Sequence, residues 1–273
     1  MTVTIHQTAI VEKGAELGQN VKIGPFCVVG PNVKLGDNVE LKSHVVIENK
    51  VSIGENTVIH PFASIGGLPQ NLTFHGAGAE VIIGKRNTIR EYVTINLGTE
   101  RDEMKTIVGD DCFLMTAAHV AHDCVIGNHV ILTNGATLGG HVKIDDHVLV
   151  GGKAAIHQFV RIGKFVMIGG VSGVERDVVP FAMVIGNRAR VVGLNIIGLK
   201  RNGFSDQNIY ALKKAYNILF DSSGRNICTS IAELERISSG NEHVECLLAF
   251  LKAKTTRGIC RAEDVFSNEE ERV

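Results

Sequence analysis

The 273-residue chain contains no tryptophan, and aromatic residues make up only 5% of it. A core without large rings is narrow and built from small aliphatic side chains. The six cysteines include no Cys-x-x-Cys pair, so no disulfide framework is expected. Cys27, Cys112 and Cys124 read instead as buried small hydrophobes. Net charge is −1 with 21% charged residues, and no global field points to nucleic acid. No apolar run approaches the roughly 20 residues of a spanning helix. No basic-then-apolar signal segment opens the chain. The expectation is a soluble, cytoplasmic protein without an integral membrane segment.

What the chain has is a six-residue repeat. Branched aliphatics recur at Ile5, Val11, Leu17, Ile23, Val29, Leu35, Leu41, Ile47, Ile53, Ile59 and Ile65. The register resumes at Ile83, and again from Val108 through Val174. Four residues after each aliphatic stands a small or β-branched residue, such as Ala9, Val21, Cys27 or Val45. Two residues apart means the same face of a strand, so each repeat supplies one short strand with a small and a large inward side chain. Glycine often follows the aliphatic, where it is expected to ease a turn. Three such strands close a coil of about eighteen residues, and coils stack about 4.8 Å apart. Helices would require spacings of three and four.

The repeat breaks near 66–81 and 97–106, and loops are expected to project there. Residues 1–190 therefore read as one β-helix with two insertions. Beyond Gly186 the period changes. Ser205 is a helix N-cap candidate, and Ile209, Leu212, Tyr216 and Leu219 follow at helical spacing. Two more helices are expected around Ile231–Ile237 and Val244–Leu251. Residues 191–261 thus form an α-helical C-terminal domain, and 262–273 an acidic, disordered tail.

The register also separates core from surface. His122 and His141 fall at turns, and His157 directly follows an inward Ile156, so none of these is a core histidine. His141 lies nineteen residues after His122, one coil plus one residue, which places the two on neighbouring coils of one corner. Asp123 can support an imidazole base at His122 if the two side chains meet, although aspartate is also an ordinary turn residue. Zinc held by corner histidines is an alternative, but His119 and His122 do not obviously converge.

Ala118-His-Val-Ala-His-Asp-Cys124 together with Ile156-His-Gln-Phe159 is far more specific than the repeat, and Gly140-His141, Gly186-Asn187, Asn195 and Gly198-Leu-Lys-Arg201 stand beside them. Through them, residues 1 to about 261 resemble the acyl-[acyl carrier protein]–UDP-N-acetylglucosamine O-acyltransferases of lipid A biosynthesis, a branch of the hexapeptide acyltransferases. The resemblance supplies the hand: a left-handed parallel β-helix with a helical C-terminal domain. It implies transfer of a (3R)-3-hydroxyacyl group from acyl carrier protein to the sugar 3-position, without a cofactor or metal. It implies His122 as general base, Asp123 as its support and the Gly140 N–H as oxyanion donor. It further implies that His119, His141, His157 and Gln158 line the substrate corner. Asn195 and Arg201 would contact the UDP end, and the active sites would lie between subunits of a homotrimer. Arg188, Arg190, Lys200, Arg201, Lys213 and Lys214 would offer a basic zone to acidic acyl carrier protein.

The chain departs from that pattern in places. Asn71 and Thr73 stand where an aspartate and a lysine are usual, which opens N-acylation of a 3-amino sugar analogue as an alternative. Gly170 leaves the acyl groove open, with Arg188 at its far end, so acyl chains of about C12 or more are expected. Asn202 follows Arg201 where a second arginine is common. Other classes to weigh are an acetyl-CoA-dependent acetyltransferase, a zinc carbonic anhydrase-like protein and a non-catalytic scaffold.

Overall fold

The computed structural model describes residues 2–76, 78–220, 227–238 and 240–262. The acidic tail beyond Ala262 lies outside the described residues. Short strands wind into three parallel faces of a prism, a left-handed β-helix. Face A runs from Thr4–Ile5 to Ala182–Ile185 and is extended by the antiparallel strand Arg190–Leu194, past the expected boundary at 190; face B runs from Ile10–Val11 to Gly173–Val174, and face C from Glu16–Leu17 to Arg161–Ile162. Equivalent residues are 18 apart, as in the hydrogen bond from Asn20 Nδ2 to Asn38 Oδ1. The spacing widens to 30 across the first insertion and 25 across the second.

The repeat dictates the core. Ile23, Val29, Leu41, Ile47, Ile59 and their successors are nearly or wholly buried, as are the small residues of the second inward slot. Each buried aliphatic contributes about 1.5–3 kcal/mol. Cys27, Cys112 and Cys124 fill that small slot as free thiols, and their Sγ atoms lie near backbone carbonyls. Burial pushes Cys112 up to about 11 and Cys124 to about 12, so both stay protonated.

The glycines play a different part from the one expected. Corners are turned by one residue in the left-handed region, and most are not glycine: Asn38, His44, Phe62, Asp123, His141 and Phe165 have φ of 57–66°. Gly24, after the inward Ile23, instead makes room for the next coil, because a Cβ there would run into the Lys42 carbonyl. The left-handed residues form columns. Asn20, Asn38 and Asn56 are hydrogen-bonded in series. Phe26, His44, Phe62 and Tyr92 stack at 4.9–5.0 Å on the corner between faces A and B.

The last coil is covered by α1 (Ile196–Arg201), α2 (Asp206–Leu219), α3 (Ile227–Ile237) and α4 (Glu242–Lys252). Ser205 caps α2, accepting from the Asn208 N–H, and Asn241 caps α4. The short α1 had no periodic signature. Arg161, bound to buried Asp177 at 2.7 Å and lying over the Phe250 ring, ties the helices to the coils. No described helix is long and apolar enough to cross a membrane.

Candidate active site

Both insertions leave the prism at the corner between faces B and C. The first follows Ser64–Gly67 and ends at Glu80, and the second follows Thr94–Asn96 and ends at Lys105. Asp123, His141 and Phe159 are the left-handed residues of successive coils at this corner. Their side chains therefore form one column. The His141 ring stacks on Phe159 with centroids 4.4 Å apart and meets His122 edge-on at 5.1 Å. His141 is only 7% exposed, so a turn position, though outside the aliphatic core, is nonetheless buried here by its neighbours.

His122 and Asp123 do reach one another, with 2.8 Å between Nδ1 and Oδ2. Asp123 is 1% exposed. Burial by itself would raise its carboxyl, but hydrogen bonds from His122 and from the hydroxyl and N–H of Thr99, with the field of His141, outweigh that and hold it below the usual carboxylate range. An ionised carboxylate only accepts, so in the neutral imidazole of His122 the proton lies on Nδ1 and the lone pair on Nε2. The Asp123 N–H donates to Thr106 Oγ1 at 2.9 Å.

Gly140 faces that lone pair. A Cβ at position 140 would lie 2.5 Å from His122 Cε1 and 2.7 Å from Nε2, so only glycine leaves the imidazole in place. Among the described residues, the Gly140 N–H has no acceptor.

The remaining candidates divide among sites. His157 and Gln158 are exposed on the same corner, and the His157 Nδ1 lies 3.2 Å from the Gln158 carbonyl. His119 is on a strand of face B rather than at a turn, with Nδ1 2.7 Å from Thr94 Oγ1. Burial and then the nearby His122 lower its pKa. Asn71 and Thr73 sit on the first insertion, where Asn71 Oδ1 accepts from the N–H and the hydroxyl of Thr73. Asn195 and Arg201 are elsewhere, beside the corner between faces C and A. Asn195 caps α1 through Oδ1 and donates from Nδ2 to the Phe165 carbonyl, a structural use that sequence reasoning missed. Arg201 is exposed and lines a cleft of about 880 Å³ with His129, His147 and the apolar outer side of face A. Gly170 lies at the third corner, next to Val171 and open to solvent. Arg188 is exposed in the turn that follows face A, 3.7 Å from Glu175.

The register located the histidines and Asp123, but not the groups that in turn hold Asp123 and His141. Thr99 and Asp102 come from an insertion, where no period applies. The only available signal was that insertion's run of charge.

His122, Asp123 and His141 bring potential ligand atoms within 4.8 Å of one another. The donor set does not suit a cation. Asp123 Oδ1 accepts from the Thr99 N–H, and Oδ2 from the Thr99 hydroxyl and His122, so an ion would have to displace these donors. The chemistry on offer is that of a buried carboxylate orienting an imidazole base.

The hexapeptide β-helix with this helical cap is that of an acyltransferase. Comparison with known proteins agrees. A family described as UDP N-acetylglucosamine O-acyltransferase, domain 2, matches residues 177–260. Bacterial transferase hexapeptide repeats match 14–49, 32–67 and 105–140. The structure of LpxA from Acinetobacter baumannii is 39% identical with a TM-score of 0.91, covering 94% of this chain and 99% of that one. The Francisella novicida UDP-N-acetylglucosamine acyltransferase is 36% identical with a TM-score of 0.92, covering 97% and 96%. The Arabidopsis enzyme of the same name is 33% identical with a TM-score of 0.84, covering 94% and 100%. The chain belongs to the UDP-N-acetylglucosamine acyltransferase family.

Proposed function

We propose that this acyltransferase moves a (3R)-3-hydroxyacyl group from acyl carrier protein to the 3-position of UDP-N-acetylglucosamine, opening lipid A biosynthesis, with His122 as general base. The observation that carries the reading is the Nε2 of His122, without a partner among the described residues, aimed by the Nδ1–Asp123 bond and set against Gly140. Nε2 takes the proton of the sugar hydroxyl as its oxygen attacks the thioester carbonyl. The resulting oxyanion is met by the Gly140 N–H. The C–S bond then breaks, and the imidazolium returns the proton to the departing thiolate of the carrier.

Asn195 and Arg201 do not share a corner with His122, because face C lies between them. This division supports a homotrimer in which one copy supplies the His122 corner and a second the Arg201 corner. The guanidinium there suits the UDP diphosphate. On face B the outward residues beside the site are small, Thr137, Ala155 and Gly173 in register, as an acyl groove ending near Gly170 and Arg188 requires. Arg190, Lys213 and Lys214 are exposed and available to an acidic carrier.

A second reading rests on Asn71. Its amide oxygen is engaged by Thr73, and it brings no negative charge to the sugar. A carboxylate would favour the ammonium form of a 3-amino sugar, which is not nucleophilic, whereas an amide does not. A competition assay decides. UDP-N-acetylglucosamine and its 3-amino analogue are supplied together with a mixture of hydroxyacyl carrier proteins, and the products are weighed by mass spectrometry. A dominant ester supports O-acylation, a dominant amide supports N-acylation, and absence of both refutes the substrate assignment.

A further inference from the structure

The second insertion, 97–104, supplies none of the residues expected at the site, yet it grips two of them, Asp123 and His141. Its neck is pinched shut. A Cβ on Gly98 would collide with the backbone of Met104 and Lys105, and the buried Leu97 donates its N–H to the Gly67 carbonyl. Between those ends the chain turns on the Asp102 N–H, which donates to the Thr99 carbonyl at 3.3 Å.

From this turn two residues reach the corner. Thr99 donates its N–H to Asp123 Oδ1 at 2.7 Å and its hydroxyl to Oδ2 at 2.6 Å. Asp102 Oδ2 lies 3.1 Å from His141 Nδ1. The far nitrogen of that ring, Nε2, is 3.6 Å from Asp123 Oδ2. One short turn thus fixes the rotation of the Asp123 carboxylate and of the His141 imidazole. A carboxylate accepts only, so in the pair with Asp102 the Nδ1 of His141 is the donor.

Building on the general-base reading above, we infer that the 97–104 insertion is the positioning element of the dyad, with Thr99 and Asp102 as positioning residues for Asp123 and His141. Thr99 engages both carboxylate oxygens, its N–H on Oδ1 and its hydroxyl on Oδ2, the oxygen that also accepts from His122. Its loss lets the carboxylate rotate and misaims Nε2. Asp102 keeps His141 upright against Phe159, at the wall of the site. Loop residues that orient catalytic groups through hydrogen bonds rather than contacting substrate act mainly on turnover.

The test compares steady-state kinetics of the full-length wild type with Thr99→Val, Thr99→Ser, Asp102→Ala, Asp102→Asn and Glu103→Gln. Thr99→Val keeps the shape and the N–H but lacks the hydroxyl, and is expected to lower kcat about tenfold with KM little changed. Thr99→Ser restores the hydroxyl and is expected within about twofold of wild type. Asp102→Ala is expected to lower kcat/KM about fivefold, and Asp102→Asn, whose amide oxygen still accepts, to recover most of it. Glu103→Gln, on the solvent side, stays at wild type. Wild-type kinetics for Thr99→Val and Asp102→Ala would overturn the inference. So would equal impairment of Thr99→Val and Thr99→Ser, or losses that follow only thermal stability. His122→Ala run alongside separates the two proposals: activity retained there sinks the general-base reading itself, whatever the loop variants do.

Discussion

Replacing Gly140 with alanine tests the site at its tightest point. The new methyl would sit 2.5 Å from His122 Cε1 and 2.7 Å from Nε2, where ordinary carbon contacts are about 3.5–4 Å. The imidazole must retreat by about 1 Å, and in doing so stretches its 2.8 Å bond to Asp123. A displacement of that size costs about a hundredfold in turnover. Stability should suffer little, because the obstructing group is a partly exposed side chain and not backbone. Gly139 provides the contrast. A Cβ there meets the Gln158 backbone nitrogen of the next coil at 2.8 Å, and neither backbone yields. Gly139→Ala is therefore expected to cost about 1–3 kcal/mol of stability. Acyl-transfer kinetics and thermal unfolding on both variants make the check. The reasoning fails if Gly140→Ala keeps kcat within about threefold of wild type, or if the two variants lose stability equally.

Subunits carrying His122→Ala mixed equally with subunits carrying Arg201→Ala should recover about a quarter of wild-type activity, because one composite site in four then receives both intact corners; no recovery above the separate variants refutes the shared site. Gly170→Met should shift preference toward shorter acyl chains, each excluded methylene removing about 0.8 kcal/mol of binding, and an unchanged product profile would rule Gly170 out as the groove's end. Asp123 has its carboxyl held low in the folded state, so its contribution to stability is complete above the unfolded value of about 3.9 and is lost as pH falls through the folded value. The Tm difference between wild type and Asp123→Asn should therefore be constant near neutrality and change only below pH about 4; a difference that varies between pH 6 and 8 would assign the effect to another group.

Much of this architecture is readable from the chain because a prism repeats one rule. Ile23, Leu41 and Ile59 face inward for the same reason, and the same count puts His122 and His141 on one corner. Burial of His141 was not readable, since it depends on a Phe159 ring one coil later and on the insertion above it. Asn195 was legible as a polar residue but not as the cap of a six-residue helix, because so short a helix leaves no periodic trace. The glycines misled for a physical reason. Close coil-to-coil approach and left-handed turns both call for glycine, and only the coordinates tell Gly24, of the first kind, from a turn residue.

The corners carry a consequence for thermal tolerance. Where an asparagine or an aromatic column occupies the left-handed position, neighbouring coils repay the backbone cost. Val171 has no such return: it holds φ at 56° with a β-branched side chain 73% exposed. An L residue in that region costs about 1–2 kcal/mol, and valine is among the least suited to it. Val171→Asn should thus raise Tm by about 2–4 °C. It would do so without altering a single core contact, which makes the rim of the prism, not its packed interior, the place where this scaffold can be hardened.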